Sequence, residues 1–190
     1  MKAYKLFLLT LTLIIFMIFQ LSAQPSVTVV VGKLRLNDGS LFRPDQKKYA
    51  AYEDSLNLNL KVNPSDTTSL FYRAFLYSTF NSIFVQPAPG QPAVMVDLIK
   101  AKNMVEKAVG LKMQDYRLKV LRAQIYGELC YQYGDDQSWK YNAKQIAERR
   151  DQFNSYKTLV NKYYDELAIL DSSNAYDYQK LKVKEDYPIK

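Results

Sequence analysis

The residue types that usually carry catalysis are scarce in this chain of 190 residues. It contains no histidine and a single cysteine, Cys130, which removes the Ser–His and Cys–His pairs that activate nucleophiles. The same scarcity removes the usual ligand sets of zinc, and the glycines are too scattered for a phosphate-binding loop. We therefore expect no catalytic residue, no metal and no cofactor. Cys130 is interpreted as a buried residue of a helix, with a reactive thiol or an intermolecular disulfide as the alternative.

Two pairs of neighbouring acids are the remaining candidates for chemistry. Asp135-Asp136 and Asp165-Glu166 could serve as general acid and base on a glycan if two carboxylates faced one cleft. However, acids are also favoured at the start of a helix, where Asp135-Asp136 is expected, and Asp165-Glu166 falls on the polar side of a helical pattern. The favoured interpretation is structural, and a carboxylate-dependent enzyme acting on envelope polysaccharide is the alternative function.

Aromatic and arginine side chains could bind a ligand without performing chemistry. Arg73 and Arg122 could clamp a carboxylate or phosphate, or pair with an acid of a neighbouring helix. The net charge of +7 is interspersed with acids, so nucleic acid is not an expected partner. Four aromatic residues around Gly134 could stack on sugar rings or pack at a corner between helices: Tyr131, Tyr133, Trp139 and Tyr141.

The first 23 residues have the three parts of a secretory signal peptide. A basic start with Lys2 and Lys5 precedes an apolar run from Leu6 to Phe19, and Ala23 is a small residue before the expected cleavage point. The run is short for a membrane span, which needs about 20 residues. We expect an exported bacterial protein, periplasmic or extracellular, with no transmembrane span after cleavage; an uncleaved anchor is the alternative.

Residues 24–45 differ in pattern from the rest of the chain. Ser26 to Val31 is rich in β-branched residues, Lys33 to Leu36 alternates, and Asn37-Asp38-Gly39 is a turn signal. This segment is predicted to be an extended arm or a hairpin, which must dock on something because an isolated hairpin is marginally stable in water.

Residues 46–190 have the pattern of helices that bury one face, with apolar residues at steps of three and four. Asp66 and Asp135 are expected to cap helices. Residues 136–170 contain no glycine or proline and predict one long helix, whose apolar side could mediate self-association into a homo-oligomer. The preceding helices are predicted to end at turn residues or breaks in the pattern: Asn63-Pro64, Phe84, Met113 and Gly134.

Small and aromatic residues recur at matching positions in successive helices of this segment. Ala74 with Tyr77 and Ala123 with Tyr126 mark two first helices of a repeat, and a second helix between them carries three further residues of the pattern: Ala101, Val105 and Ala108. Over roughly residues 50–130 the chain resembles the tetratricopeptide repeat family. The implied fold is all-α, with antiparallel helix pairs in a short right-handed solenoid or bundle behind the extended N-terminal arm.

The repeat is degenerate. Leu70 and Lys119 stand where the motif has a large aromatic residue, and Arg73 and Arg122 stand where it has an apolar one. A proline-rich loop around residues 87–92 accounts for the extra length of the first unit.

The resemblance also implies a function and a site. Tetratricopeptide arrays bind peptides on the concave face formed by their first helices, so the chain is expected to be a non-catalytic protein–protein interaction module or scaffold of the cell envelope. As an alternative to a position on this binding face, Phe71 and Phe75 could be core residues packed under the N-terminal arm. The residues that would face a protein or peptide partner are given by their positions in the two first helices: Thr68, Phe71, Phe75, Ser78, Arg117, Gln124 and Glu128.

Overall fold

The computed structural model describes residues 24–40, 44–82 and 88–189. The predicted signal peptide, residues 1–23, and the helix end predicted at Phe84 lie outside these ranges. Within them, none of the helices combines the length and the apolar character needed to cross a membrane.

The described chain is predominantly helical, which confirms the all-α prediction. Two short strands come first, β1 (Val27–Val30) and β2 (Lys33–Leu36). Short 3₁₀ segments lie at Gln46–Tyr49, Ser138–Lys140 and Ser172–Asn174. The α-helices are α1 (Ala50–Val62), α2 (Thr67–Phe80), α3 (Pro92–Gly110), α4 (Tyr116–Tyr133), α5 (Ala143–Leu170) and α6 (Ala175–Leu181).

Consecutive helices pack tightly in pairs, α2 against α3 and α4 against α5, and α3 also packs against α4. Helix α1 packs on α2 at one end of this series, and α6 packs on α5 at the other. The distance between two helix axes depends on the side chains at their contact, and the small residues of the motif are fully buried: Ala74, Ala101, Ala108 and Ala123.

The two strands form an antiparallel hairpin. Val27 lies opposite Leu36 and Val29 lies opposite Leu34, and these inward side chains join the same core as the helices. The alternating pattern of this segment is explained by a sheet with one face buried on the helices.

The tip of the hairpin is the two-residue turn Val31-Gly32. Both residues have positive φ, 52° and 71°, as in a type I′ turn, whose twist matches that of paired strands. The turn signal at Asn37-Asp38-Gly39 therefore lies where the chain leaves the hairpin and does not connect its strands.

The helix predicted over residues 136–170 begins later than expected, at Ala143. Asn142 caps it: the Asn142 side chain accepts the Gln145 backbone N–H, and the Gln145 side chain accepts the Asn142 backbone N–H. This reciprocal capping box satisfies two donors that the first turn of a helix leaves unpaired.

The prediction that Asp135 caps α5 is wrong, because the Asp135 carboxylate is engaged before that helix begins. Asp135 is fully buried and accepts hydrogen bonds from the Gln137 backbone N–H at 3.0 Å and from the Tyr141 hydroxyl at 2.9 Å. It therefore folds the turn between α4 and α5.

The apolar side of α5 is used inside the chain. Tyr156, Tyr163 and Leu167 are buried, and the rings of Tyr156 and Tyr163 lie 5.6 and 5.3 Å from the ring of Tyr126 on α4. The apolar seam predicted for self-association is consequently covered by α4, which leaves polar residues on most of the exposed side of α5.

Candidate partner-binding site

Arg73 of α2 and Arg122 of α4 make the same arrangement with the helix that precedes each of them. The Nε of Arg73 donates to Asn57 Oδ1 at 2.9 Å and the Nε of Arg122 donates to Glu106 Oε1 at 2.7 Å, each across 16 residues of sequence. Arg73 also pairs with Glu53 at 3.1 Å, and a second nitrogen of Arg122 pairs with Glu106 at 2.7 Å. Arg73 therefore ties α2 to α1 and Arg122 ties α4 to α3, as the structural alternative predicted.

The two acid pairs are not arranged around a common cleft. Asp135 is enclosed, whereas Asp136, Asp165 and Glu166 are exposed. The Asp165 carboxylate accepts a hydrogen bond from Lys182 at 2.7 Å, and this bond holds the Asp165 pKa below its usual value. The part of the chain that the structure describes also contains no group of three acids or cysteines placed to hold a metal ion.

The aromatic residues around Gly134 separate into different environments. Trp139 is 79% exposed, whereas the rings of Tyr133 and Tyr141 lie 5.3 and 4.3 Å from the Arg149 guanidinium. Arg149 donates to the backbone carbonyl of Tyr133 at 3.2 Å. Because cations are stabilised near the carbonyls that end a helix, this cluster closes the end of α4, and a role for it in stacking on sugars gains no support.

The first-helix residues predicted to face a partner fall into three groups. Three residues of α2 belong to the core: Phe71, Phe75 and Ser78 are fully buried. At the starts of the helices, Thr68 is exposed and Arg117 is partly exposed, with its guanidinium held 2.6 Å from Asp115. An open groove over Phe71 and Phe75 is therefore wrong, and the alternative that they belong to the core holds. The third group, Gln124 and Glu128 of α4, lies next to a cavity.

Strand β2 lies along the face of α4 that carries Gln124. The backbone N–H of Leu34 donates to Gln124 Oε1 at 3.1 Å in a buried hydrogen bond, so a side chain of α4 satisfies the edge of β2 that faces away from β1. At the hairpin tip, a β-carbon on Gly32 would lie 2.9 Å from Leu181 and 3.1 Å from Tyr178. The hairpin therefore spans from α4 to α6.

A second anchor fixes the hairpin where it joins the helices. Asp38 accepts hydrogen bonds from the Ser40 backbone N–H at 2.9 Å and from the Tyr49 hydroxyl, and the Tyr49 ring lies 6.1 Å from Phe80 of α2. Burial alone would raise the Asp38 pKa, but the hydrogen bonds from Ser40 and Tyr49 outweigh it and hold this pKa well below its usual value.

Beyond the hairpin tip, a cavity of about 590 Å³ lies on the same face of α4. Its floor follows the helix period, with Gln124, Gly127, Glu128 and Tyr131 on one side of α4. Lys33 of the hairpin and residues 180–188 form its walls. The volume is within the range of roughly 300–1,000 Å³ that is typical of ligand sites.

The C-terminal wall of this cavity is held to α5 by hydrogen bonds. Lys157 donates to the Glu185 carbonyl at 2.7 Å, and Asn161 exchanges two hydrogen bonds with the backbone of Val183, at 2.9 and 2.8 Å. Arg150 donates to the Ile189 carbonyl at 2.9 Å. These hydrogen bonds hold the C-terminal wall in place, so the cavity is preformed.

Burial shifts the pKa values of one lysine and one thiol that line the cavity. Burial lowers the Lys33 pKa, and the nearby charge of Glu128 opposes this shift. Burial raises the Cys130 pKa to about 12, so at neutral pH this residue is a thiol and a weak nucleophile.

Sequence reasoning placed Gln124 and Glu128 on the face of α4 that borders the cavity, but it did not single out Gly127, Tyr164, Lys33 or the C-terminal segment. A signal for Gly127 existed, since it follows Tyr126 as Ser78 follows Tyr77 and so has the same place in the proposed repeat. The walls carried no such signal, because their approach to α4 depends on tertiary packing.

Comparison of the chain with models of known protein families, with curated proteins and with solved structures gave no match.

Proposed function

We propose that this protein is an exported, non-catalytic interaction module of the bacterial cell envelope that binds a segment of a partner protein in the cavity on α4. The observation that carries the proposal is the preformed cavity of about 590 Å³ on α4. The resemblance to tetratricopeptide repeats, proposed from the sequence, favours the same face as the binding surface.

The chemistry of the cavity suits a polypeptide segment. The lining combines apolar and aromatic side chains, among them Phe153 and Leu181, with charges of both signs on Lys33, Glu128 and Glu185. Protein–protein contacts also combine apolar area with polar groups, and a lining of both charges suits the dipolar groups of a peptide backbone.

The adjoining hairpin supports the same ligand class. β2 is itself an extended segment on this face, with one buried hydrogen bond from its backbone to Gln124 and apolar side chains Leu34 and Leu36 turned inward. A partner segment in the cavity would continue along the helix that β2 already occupies.

Site-specific photo-crosslinking in the native host tests the proposal. A benzoylphenylalanine in place of Tyr131, which lines the cavity, is expected to yield a discrete adduct with one partner protein. The control position is Lys144, whose side chain is 85% exposed near the start of α5. Equal adducts at both positions, or none at Tyr131, would contradict the proposal.

The export part of the proposal has its own measurement. Mass spectrometry of the protein recovered from the envelope or medium is expected to find Gln24 as its first residue, because Ala23 precedes the predicted cleavage point. Recovery of the protein in the cytoplasm with residues 1–23 retained contradicts export.

A further inference from the structure

We infer that the missing side chain of Gly127 opens an anchor pocket for one large apolar side chain of the ligand, with the Tyr164 hydroxyl as its polar contact. This inference rests on the proposed function, since it names the part of the partner that the cavity on α4 would recognise. It is tested without the partner.

Gly127 has no evident packing requirement. It lies in the interior of α4, where glycine is less stable than alanine. A β-carbon there would lie 3.7 Å from Val160 Cγ2 and 3.8 Å from the Tyr164 hydroxyl oxygen, and both are ordinary van der Waals distances. By contrast, a β-carbon on Gly134 at the end of the same helix would lie 3.3 Å from Phe153. Alanine would therefore fit at position 127, and the fold would gain by having it.

Tyr164 provides a second, independent observation. The residue is only 2% exposed and lines the cavity, and its hydroxyl oxygen lies 3.8 Å from the β-carbon position of Gly127. Burial of the side chain is the main cause that raises the Tyr164 pKa. The hydroxyl is therefore beside the space that Gly127 leaves, where a ligand carbonyl would accept its hydrogen bond.

The walls of the pocket indicate which side chain it takes. The phenyl ring of Phe153 and the phenol ring of Tyr164 line the cavity together with the apolar Leu181 and Val183. Aromatic rings pair favourably with other rings at their edges or faces, so we expect phenylalanine to be preferred over leucine, and leucine over alanine. The Tyr164 hydroxyl would then donate to the carbonyl of the anchor residue.

Capped single amino acids serve as probes of this pocket. N-acetyl-phenylalaninamide, N-acetyl-leucinamide and N-acetyl-alaninamide are titrated to about 10 mM against the mature protein, with amide chemical shifts followed by NMR. We expect the phenylalanine probe to bind most tightly and to shift the amides of Gly127, Tyr131 and Gly134.

Two variants separate binding from stability. Gly127→Ala is expected to raise Tm by about 2–4 °C and to weaken the phenylalanine probe at least about fivefold, because the methyl group occupies the pocket. Gly110→Ala is the matched control, since Gly110 is the last residue of α3 and has no atom within 4 Å of its β-carbon position. It should leave probe affinity unchanged. Tyr164→Phe should keep Tm within about 2 °C and weaken the probe about threefold or more.

Several outcomes overturn the inference. No shift at about 10 mM probe, a preference for the alanine probe, or equal affinities in the Gly127→Ala variant and the parent protein would each remove the anchor pocket. None of these results depends on a partner, so the crosslink at position 131 remains a separate test of the proposed function.

Discussion

The backbone N–H of Leu34 and the side-chain carbonyl of Gln124 lie 3.1 Å apart in a buried hydrogen bond that joins strand β2 to helix α4. This contact matters because the edge of a strand presents donors and acceptors that must be satisfied when they are buried. A helix side chain performs that task here, and so it fixes which part of the α4 face is covered and which part remains open as the cavity.

Gln124→Met is expected to lower the free energy of unfolding by about 1–3 kcal/mol, because the Leu34 N–H would be left buried without an acceptor. Urea denaturation followed by circular dichroism measures the change. Gln152→Met on the exposed side of α5 is the matched control and should change stability by less than about 0.5 kcal/mol. If both variants lose the same stability, the hydrogen bond is not what holds β2 to α4.

Val31→Asn is expected to stabilise the protein by up to about 1 kcal/mol. Val31 has a φ of 52°, a conformation that is strained for a β-branched residue and is readily adopted by asparagine in an Asn-Gly turn of type I′. Its side chain is 59% exposed, so little packing is lost. A thermal melt provides the measurement, and a Tm that falls on substitution would mean that Val31 contributes a contact worth more than its strain.

Asp38→Asn is expected to destabilise the protein near neutral pH and to have a progressively smaller effect in acid. The Asp38 pKa is depressed in the folded state by hydrogen bonds from Ser40 and Tyr49 that outweigh the effect of burial. A depressed carboxyl pKa contributes stability above the unfolded value, about 3.9, and this contribution is lost as the pH falls through the folded value. The difference in unfolding free energy between parent and variant should therefore narrow below about pH 4. A difference that is constant from pH 7 down to the acid transition would contradict the linkage.

The Arg122–Glu106 pair is expected to show a coupling energy of about 1 kcal/mol in a double-mutant cycle with Arg122→Gln and Glu106→Gln. The two side chains are 25% and 32% exposed and make two hydrogen bonds of 2.7 Å, and paired bonds of this kind are stronger than single surface contacts. The control cycle uses Lys162 and Glu166, which are 3.9 Å apart and 66% and 53% exposed. That pair should have a coupling energy of about 0.3 kcal/mol. Similar coupling energies in the two cycles would show that the Arg122–Glu106 pair does not stabilise the packing of α3 against α4 more than a surface pair does.

The helices could be predicted from the sequence because their signals are local. Steps of three and four between apolar residues located α1 to α5, and Pro64 marked the end of α1. The alanines singled out at 74, 101, 108 and 123 are buried. The start of α5 was predicted incorrectly, since Asp135 and Asn142 are both good N-cap residues. Burial of Asp135 and its hydrogen bond from Tyr141 decided between them, and neither is visible in a local pattern.

The candidate site could be predicted only in part. The helical period of α4 placed Gln124 and Glu128 on the face that borders the cavity, but the same reasoning placed Phe71 and Phe75 on an open groove, whereas both are buried. Periodicity defines which residues share a face of a helix, and it does not define what packs against that face.

The sequence by itself determined the all-α class, the succession of helices and the scarcity of catalytic groups, because residue type and spacing act over a few turns of chain. Tertiary structure decided that Leu34 would bond to Gln124, that residues 180–188 would form a wall and that the space over Gly127 would stay open. These outcomes depend on contacts between segments distant in sequence, whose free energies are set by packing and burial in three dimensions.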